Sequence, residues 1–437
     1  MRQHFGLPEP HDDRQTLMDP KGIIHPVATP KEVEALFQSL SSAKQGPCIS
    51  RVIDLFEDWG KLLDDPSLGD IPGLAFLKLW LRRGTIEGIL KREFGQGAEL
   101  DSWFNIGRSR FKAFPVGVVG HWPAGNIEIQ PVLSLACSLL GGNKGLVRVP
   151  SRCIKATSCI VEKLFQADKG GLLEGRIAFM SFDHGLRPLH EAMAHNVDGA
   201  MIWGGDQAVL ESRSLPFPHW ARLAVFGPRI SVAIMDKGAW SSPESRKAWC
   251  QRLARDVWQF EQQACSSPQT LFVEGDSGTD MKVLIQSLVK AFEDENRAHP
   301  RTAIDPGLTS SILRRRADWL MGDAKHKASF PNSPDWTILY GKGVDIPNPV
   351  QGKTLFVLET DNLSAAVERL DGNVQTLGLG MTDRDQEAAI AEQAAGRGVD
   401  RVVKLGQMHT FASPWDGRDL IRPMVRIVQH IPAAEAV

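Results

Sequence analysis

From Phe114 to Ser212 the chain repeats one pattern: a short apolar run, a turn, then a segment of helical length. The apolar runs are Pro115–Trp122, Gly145–Val149, Arg176–Phe182 and Asp198–Trp203. The helical segments are Asn126–Leu140, Ser151–Gln166, Leu186–Ala194 and Asp206–Ser212, with Ser151 placed to cap the second of them. A spacing of about thirty residues leaves room for a crossover helix between parallel strands. Runs that are apolar throughout, rather than alternating, belong to strands covered on both faces. The expectation is an α/β fold built on a parallel sheet. Such sheets bind ligands beyond the carboxyl ends of their strands. That directs attention to the loops Gly120–Asn126, Val149–Arg152, Ser181–Gly185 and Trp203–Gly205.

The flanking regions read differently. Residues 1 to about 110 are expected to be mostly helical, with helices over Lys31–Leu40, Ile49–Leu63 and Gly73–Phe94. A fifth apolar run, Ile230–Met235, opens a second region, whose later strands are expected at Gln269–Glu274, Thr354–Glu359 and Val374–Met381. Asn332–Pro349, rich in Pro and Gly, is expected to loop over the surface, and Met424–Val428 to form an edge strand that pairs with another subunit. The expected division is 1–228 for helices and a cofactor-binding domain, 229–410 for a catalytic domain and 411–437 for a returning arm.

With 437 residues the chain is long enough for two domains. Its formal net charge of -2 provides no electrostatic pull toward nucleic acid or an anionic membrane. Met1–Asp13 lacks the apolar core of a secretory signal. The longest apolar stretch, Pro131–Leu140, is about half of what a bilayer requires. Cys48, Cys137, Cys153, Cys159, Cys250 and Cys265 form no CxxC pair, which suits a reducing cytoplasm.

Cys265 stands apart from the other thiols. It lies between a helix-like run and an apolar strand, followed by Ser266, Ser267 and the helix-breaking Pro268. Free cysteines are usually buried structural residues; a thiol at such a junction, with polar neighbours, is a candidate nucleophile facing a cleft. Asn126, after the first strand of the sheet, is either a helix N-cap or an amide donor to a developing oxyanion. Arg148-Val-Pro-Ser-Arg152 is either a solvated basic patch or a clamp for an adenosine ribose and its 2′-phosphate. Gly204-Gly205-Asp206 is either a structural turn or backbone pressed against a pyrophosphate. No GxGxxG follows the first strand, and neither a Walker lysine motif nor a GxSxG elbow is present. The histidines have no zinc-site spacing, so no metal is expected.

Taken together, Pro115–Asn126, Leu146–Ser151, Ile202–Asp206, Phe226–Ser231, Asp256–Gln269, Arg397–Val403 and Met408–Phe411 resemble the aldehyde dehydrogenase superfamily, and within it the bacterial LuxC-type acyl-CoA reductases. The resemblance covers about residues 100 to 430. It implies a Rossmann-type cofactor domain and a second α/β catalytic domain. It implies Cys265 as nucleophile, Asn126 as oxyanion-hole amide, and cofactor contacts at Trp122, Arg148, Pro150, Ser151, Arg152, Gly204 and Gly205. NAD-preferring members often carry a glutamate where Ser151 stands; serine does not repel a 2′-phosphate, so NADPH is the expected donor and NADH the alternative. Homo-oligomers and acyl-transfer partner proteins are also in keeping with the family.

One departure is informative. Aldehyde-oxidising members keep a glutamate just before the turn matching Phe226-Gly227, where it activates the hydrolytic water. Here the stretch reads Arg222-Leu-Ala-Val-Phe-Gly, with no carboxylate. A thioester spared from water favours reduction of an acyl-CoA or acyl-carrier thioester to an aldehyde. The alternatives are a reductase of a short acyl-CoA or acyl phosphate, a cysteine acyltransferase or thioesterase without redox chemistry, and a non-catalytic scaffold.

Overall fold

The computed structural model describes residues 22–41, 46–69, 71–95, 100–275, 281–301, 304–323 and 325–432. Met1–Asp13, read above for a leader, lies outside the described residues. The strands are β1 (Ile24–Pro26), β2 (Phe104–Ile106), β3 (Ser109–Pro115), β4 (Val118–Trp122), β5 (Lys144–Arg148), β6 (Ile177–Ser181), β7 (Gly199–Trp203) and β8 (Arg222–Phe226). They continue as β9 (Ile230–Met235), β10 (Pro268–Glu274), β11 (Lys327–Ser329), β12 (Thr337–Lys342), β13 (Thr354–Thr360), β14 (Val374–Gly380), β15 (Arg401–Lys404) and β16 (Val425–His430). The chain forms two compact units: Met1–Gly227 with Asp419–Val437, and Pro228–Arg418.

The first unit holds a sheet in the order β1-β6-β5-β4-β7-β8, with every pairing parallel. β4 is buried along its whole length. Leu146, Met180, Ala200 and Ile202 pack with Leu189 and Met193 of the helix Arg187–Asn196. Gly145 is required where the helix Gln130–Leu140 crosses the sheet: a Cβ there would meet Leu135 Cδ1 at 2.1 Å. The winding reverses between β4 and β7, so the crevice of such a sheet opens at their carboxyl ends. A separate three-stranded sheet, β16-β3-β2, completes this unit.

The second unit holds a sheet in the order β11-β12-β13-β10-β9-β14-β15. It is parallel except for the β11–β12 edge. Val232, Ile234, Phe272 and Leu377 pack on one face, and Ala233, Leu271, Val273 and Leu355 on the other.

The structure corrects several expectations. The N-terminal region is not helix alone: β1 adds to the edge of β6, with Val27 N–H bonding Ser181 O at 3.0 Å, and β2 and β3 follow it. A strand of three residues is too short to show periodicity. Asn332–Pro349 is not all loop, because Thr337–Lys342 forms β12, paired with β13; the flanking Pro and Gly hid its apolar centre. Gly73–Phe94 splits into the helices Leu74–Trp80 and Arg83–Phe94. The helix expected from Asn126 starts at Gln130, where Pro131 suits the first turn. Ser151 makes no side-chain cap; a short 3₁₀ turn, Ser151–Cys153, precedes the helix Ile154–Ala167. β16 is an edge strand, but its hydrogen-bonded partner is β3 of the same chain.

Candidate active site

In the second unit the helix Pro243–Trp258 ends at Gln259, and Phe260, Glu261 and Gln262 then turn through φ of 54°, 53° and 62°. Left-handed backbone at non-glycine residues costs about 1–3 kcal/mol each and persists only when surroundings enforce it. Here they do. Buried Gln262 donates to Pro268 O at 2.8 Å and Thr354 O at 2.9 Å, and accepts from Thr354 N at 2.7 Å. Glu261 pairs with Arg301 at 2.7 Å and with buried Lys353 at 2.8 Å. Lys353 closes a second left-handed run, Gln351–Lys353, and its ammonium lies 4.6 Å from the Trp258 ring centre. Two strained turns, 260–262 just upstream of Cys265 and 351–353 far downstream, are thus clasped together.

Cys265 emerges from this clasp immediately before the amino end of β10. It is half-buried, and Ser231 Oγ, at the start of β9, donates to its carbonyl at 2.7 Å. Burial pushes its thiol up to about 12, with the Asp416 carboxylate adding to the effect; the Gln375 side chain and Arg401 favour the thiolate. The next residue is tied as well. Ser266 Oγ lies 2.9 Å from His409 Nδ1, and His409 Nε2 lies 2.7 Å from Asp256 O. A carbonyl can only accept, so Nε2 carries the proton and Ser266 donates to Nδ1. Burial lowers His409 to about 4, keeping it neutral. Burial raises Asp256 to about 7, although its carboxylate accepts from Gly406 N at 2.5 Å.

In the first unit Asn126 lies exposed on a turn between β4 and the helix. It is not the helix N-cap, because Ile129 occupies that position. The loop is fixed by Ala124 N–H donating to Gln130 Oε1 at 2.7 Å. It runs beside the 150–153 turn: a Cβ on Gly125 would lie 3.4 Å from Pro150 Cβ, and Cys153 Sγ lies 3.8 Å from Ile127 O. Arg148 donates to Phe182 O at 3.3 Å, while its Nε is buried with no acceptor among the described residues. Ser151 and Arg152 are exposed, and Pro150 is buried. Gly204 is hemmed in by Ala208 Cβ at 3.0 Å; Gly205 has open space around it at the start of the helix Asp206–Arg213. Trp122 is buried, and its indole N–H donates to His190 Nδ1 at 3.0 Å, so its ring belongs to the core. In β8 the stretch before Gly227 carries no carboxylate, and Phe226 stacks on Trp203 with centroids 3.8 Å apart.

In the first unit Arg148 ends β5, and Asn126, Pro150, Ser151, Arg152, Gly204 and Gly205 lie in the segments that leave the carboxyl ends of β4, β5 and β7. Cys265 belongs to the second. Reading the sequence missed the electrostatic effect of Gln375 and Asp416 on the Cys265 thiol, and gave Asp256, inside the quoted Cys265 segment, no role. Arg401 and His409 stand inside motifs quoted above without a role. The one signal for Gln375 was a polar residue within an apolar strand. Among the described residues no group of side chains could hold a metal ion, and no helix is long and apolar enough to cross a membrane.

A family model described as acyl-CoA reductase (LuxC) matches residues 48–427. The chain is similar to the long-chain acyl-protein thioester reductase of Vibrio harveyi, 22% identical over 376 residues that cover 83% of this chain and 75% of that protein. Long-chain acyl-protein thioester reductase 2 of Photobacterium leiognathi is 21% identical over 352 residues, 80% of this chain and 70% of that one. Among solved structures, aldehyde dehydrogenase 21 from Physcomitrella patens, in complex with succinate, has a TM-score of 0.69 at 12% identity, covering 92% of this chain and 90% of that chain. Glyceraldehyde-3-phosphate dehydrogenase GapN from Methanocaldococcus jannaschii, complexed with NADP, has a TM-score of 0.67 at 12% identity, covering 93% and 98%. The fold is that of the aldehyde dehydrogenases, as the sequence led us to expect.

Proposed function

The chain belongs to the acyl-CoA reductase (LuxC) family, and from that premise we propose that it reduces a long-chain acyl thioester to the aldehyde with NADPH, through an acyl-enzyme on Cys265. The observation that carries the reading is Cys265 itself: a half-buried residue at an element junction, just after a strained left-handed turn that buried Gln262 ties to Pro268 and Thr354. A structural thiol has no need of such a setting. The Cys265 thiolate attacks the acyl carbonyl, and the carrier thiol, of coenzyme A or a partner protein, departs. Asn126 and the Cys265 backbone N–H are the proposed donors to the oxyanion. Absence of a carboxylate from the end of β8 protects the thioester from water.

The first unit suits a nicotinamide dinucleotide: Arg148 Nε is buried and unsatisfied, and Gly205 leaves open space at a helix start. Arg148, Pro150, Ser151 and Arg152 would hold the adenosine side, with Gly204, Gly205 and the Trp122 backbone on the remainder. When bound, the cofactor supplies the hydride that turns the acyl group into an aldehyde. Ser151 puts no charge against a 2′-phosphate, which favours NADPH over NADH. The unpaired thiols support a cytoplasmic site of action.

The test is NADPH oxidation against a series of acyl-CoA chain lengths, with NADH alongside, in the native enzyme and Cys265→Ala. The proposal expects long chains and NADPH to be preferred and Cys265→Ala to be inactive. Thioester consumed without NADPH oxidation would instead mark an acyltransferase or thioesterase.

A further inference from the structure

Ser267 N–H bonds Ala264 O at 2.9 Å, which places Cys265 and Ser266 at the two central positions of a turn. A turn of this kind uses the N–H of its fourth residue and leaves those of its central pair outside its own hydrogen bond. A trans peptide points its N–H away from its C=O, so the bond at Ala264 O also sets where the Cys265 N–H points. Two further bonds fix the turn from outside. Ser231 Oγ, on β9, donates to Cys265 O at 2.7 Å. Ser266 Oγ donates to His409 Nδ1 at 2.9 Å. His409 is itself held on several sides. Its Nε2 donates to Asp256 O at 2.7 Å, its ring meets Phe260 edge-on with centroids 5.4 Å apart, and Arg401 bonds the preceding carbonyl, Met408 O, at 3.2 Å. Ser231, Ser266 and His409 are all buried. An alanine at either serine would fill nearly the same space with no polar group to satisfy, so packing alone does not account for the hydroxyls.

Resting on the reading of Cys265 as the nucleophile, we infer that Ser231, Ser266 and His409 are positioning residues, which together hold the backbone on both sides of Cys265 so that its N–H meets the oxyanion of the attacked thioester. They act through Cys265 rather than on the substrate. Ser231 fixes the peptide that leaves Cys265. Ser266 and His409 fix the next residue against the end of the helix Pro243–Trp258, which carries Asp256. Burial lowers His409 to about 4, so Nδ1 stays unprotonated and open to the serine hydroxyl. Small errors matter in such a site: a displacement of about 1 Å can cost roughly 100-fold in rate.

The test compares two reactions of the Cys265 sulfur, each followed by the mass of its peptide so that exposed Cys48 is not counted. Acylation by a long-chain acyl-CoA passes through an oxyanion; alkylation by iodoacetamide does not. Ser231→Ala and Ser266→Ala are each expected to slow acylation about tenfold or more, with kcat falling and KM for acyl-CoA held, while alkylation stays within about twofold of the native rate. His409→Asn, whose amide oxygen can replace Nδ1 in accepting from Ser266, is expected to acylate faster than His409→Leu. Ser266→Ala combined with His409→Leu is expected to cost no more than the worse of the two alone, as for residues that act through one bond. Thermal melts check that each variant is folded, and the serine variants, which lose one hydroxyl each, carry the test if His409→Leu does not fold. Acylation unchanged in either folded serine variant, slowed only in step with alkylation, or slowed additively in the double variant overturns the inference. Failure of the proposed function looks different: native Cys265 then takes up no acyl group, while iodoacetamide still alkylates it.

Discussion

The two parallel sheets are wound alike, yet their candidate site residues lie at opposite ends. In the first, β4 and β7 flank the reversal, and the candidate cofactor loops leave from their carboxyl ends. In the second, β9 and β14 flank the equivalent reversal, but the proposed nucleophile lies at the amino ends: Cys265 just before β10, its carbonyl bonded by Ser231 at the start of β9. At the carboxyl end of β9 the chain closes on a buried carboxylate. Asp236, after β9, is buried and accepts from Ala239 N and Thr382 N at 2.6 Å each and from Thr382 Oγ1 at 3.0 Å. The rule that ligands bind at carboxyl ends rests on loops left open there. Where a loop closes on a buried carboxylate, the end is structural, and a strained turn at the other end can carry the nucleophile instead.

The largest effect should come from the amino end of the second sheet. Cys265→Ala should abolish NADPH oxidation while a thermal melt shows the variant still folded. At the carboxyl end of the first sheet, Asn126→Ala should slow turnover by roughly 10²–10³-fold, as loss of an oxyanion donor typically does. A change in KM with kcat intact would move Asn126 out of that role. At the carboxyl end of β9, Asp236→Ala strands several donors and should cost about 2–4 kcal/mol in denaturant unfolding with kcat retained. A fall in kcat in the folded variant would erase the contrast between the two ends of that sheet. Gly205→Ala has room for its methyl group and an ordinary φ of -70°, so stability should hold while KM for NADPH rises severalfold.

The smallest effect separates the units by pH. Burial holds His121 at about 3 and His190 at about 4 in the first unit. Unfolded histidine takes up its proton near 6.5, so the stability these neutral rings contribute is present above that value and is lost as pH falls toward 4 and 3. From pH 7 to 5 each loses roughly 2 kcal/mol. In the second unit His409 behaves the same way, but Asp256, raised to about 7, opposes it. An acid that ionises near 4 unfolded and near 7 folded loses stability as pH rises between them, and so gains on acidification. Hydrogen exchange at pH 5 should therefore open β4 and β7 before β9 and β10; the reverse order would contradict this balance.

Much of this was readable in the chain. Continuous apolar runs marked β4 to β7, β9, β10, β13 and β14, because strands buried on both faces must be apolar throughout. Cys265 was legible because two serines and a proline surround it at a junction. β1, β11 and β15 escaped because a short edge strand takes its conformation from its neighbour rather than from its own residues. Gln375 and Asp416, 41 positions apart, bond each other in the buried interior, a pairing the sequence could not show. The clasp of Glu261 on Lys353 was hidden for the same reason: left-handed backbone at Phe260, Glu261 and Gln262 is imposed by partners distant in sequence.

The most direct measurement is the mass of the Cys265 peptide after the enzyme meets a long-chain acyl-CoA, first without NADPH and then with it. The account predicts one acyl group on Cys265 that persists in buffer and leaves as aldehyde when NADPH is added. An unmodified Cys265, or an adduct released as free acid without NADPH, would contradict it.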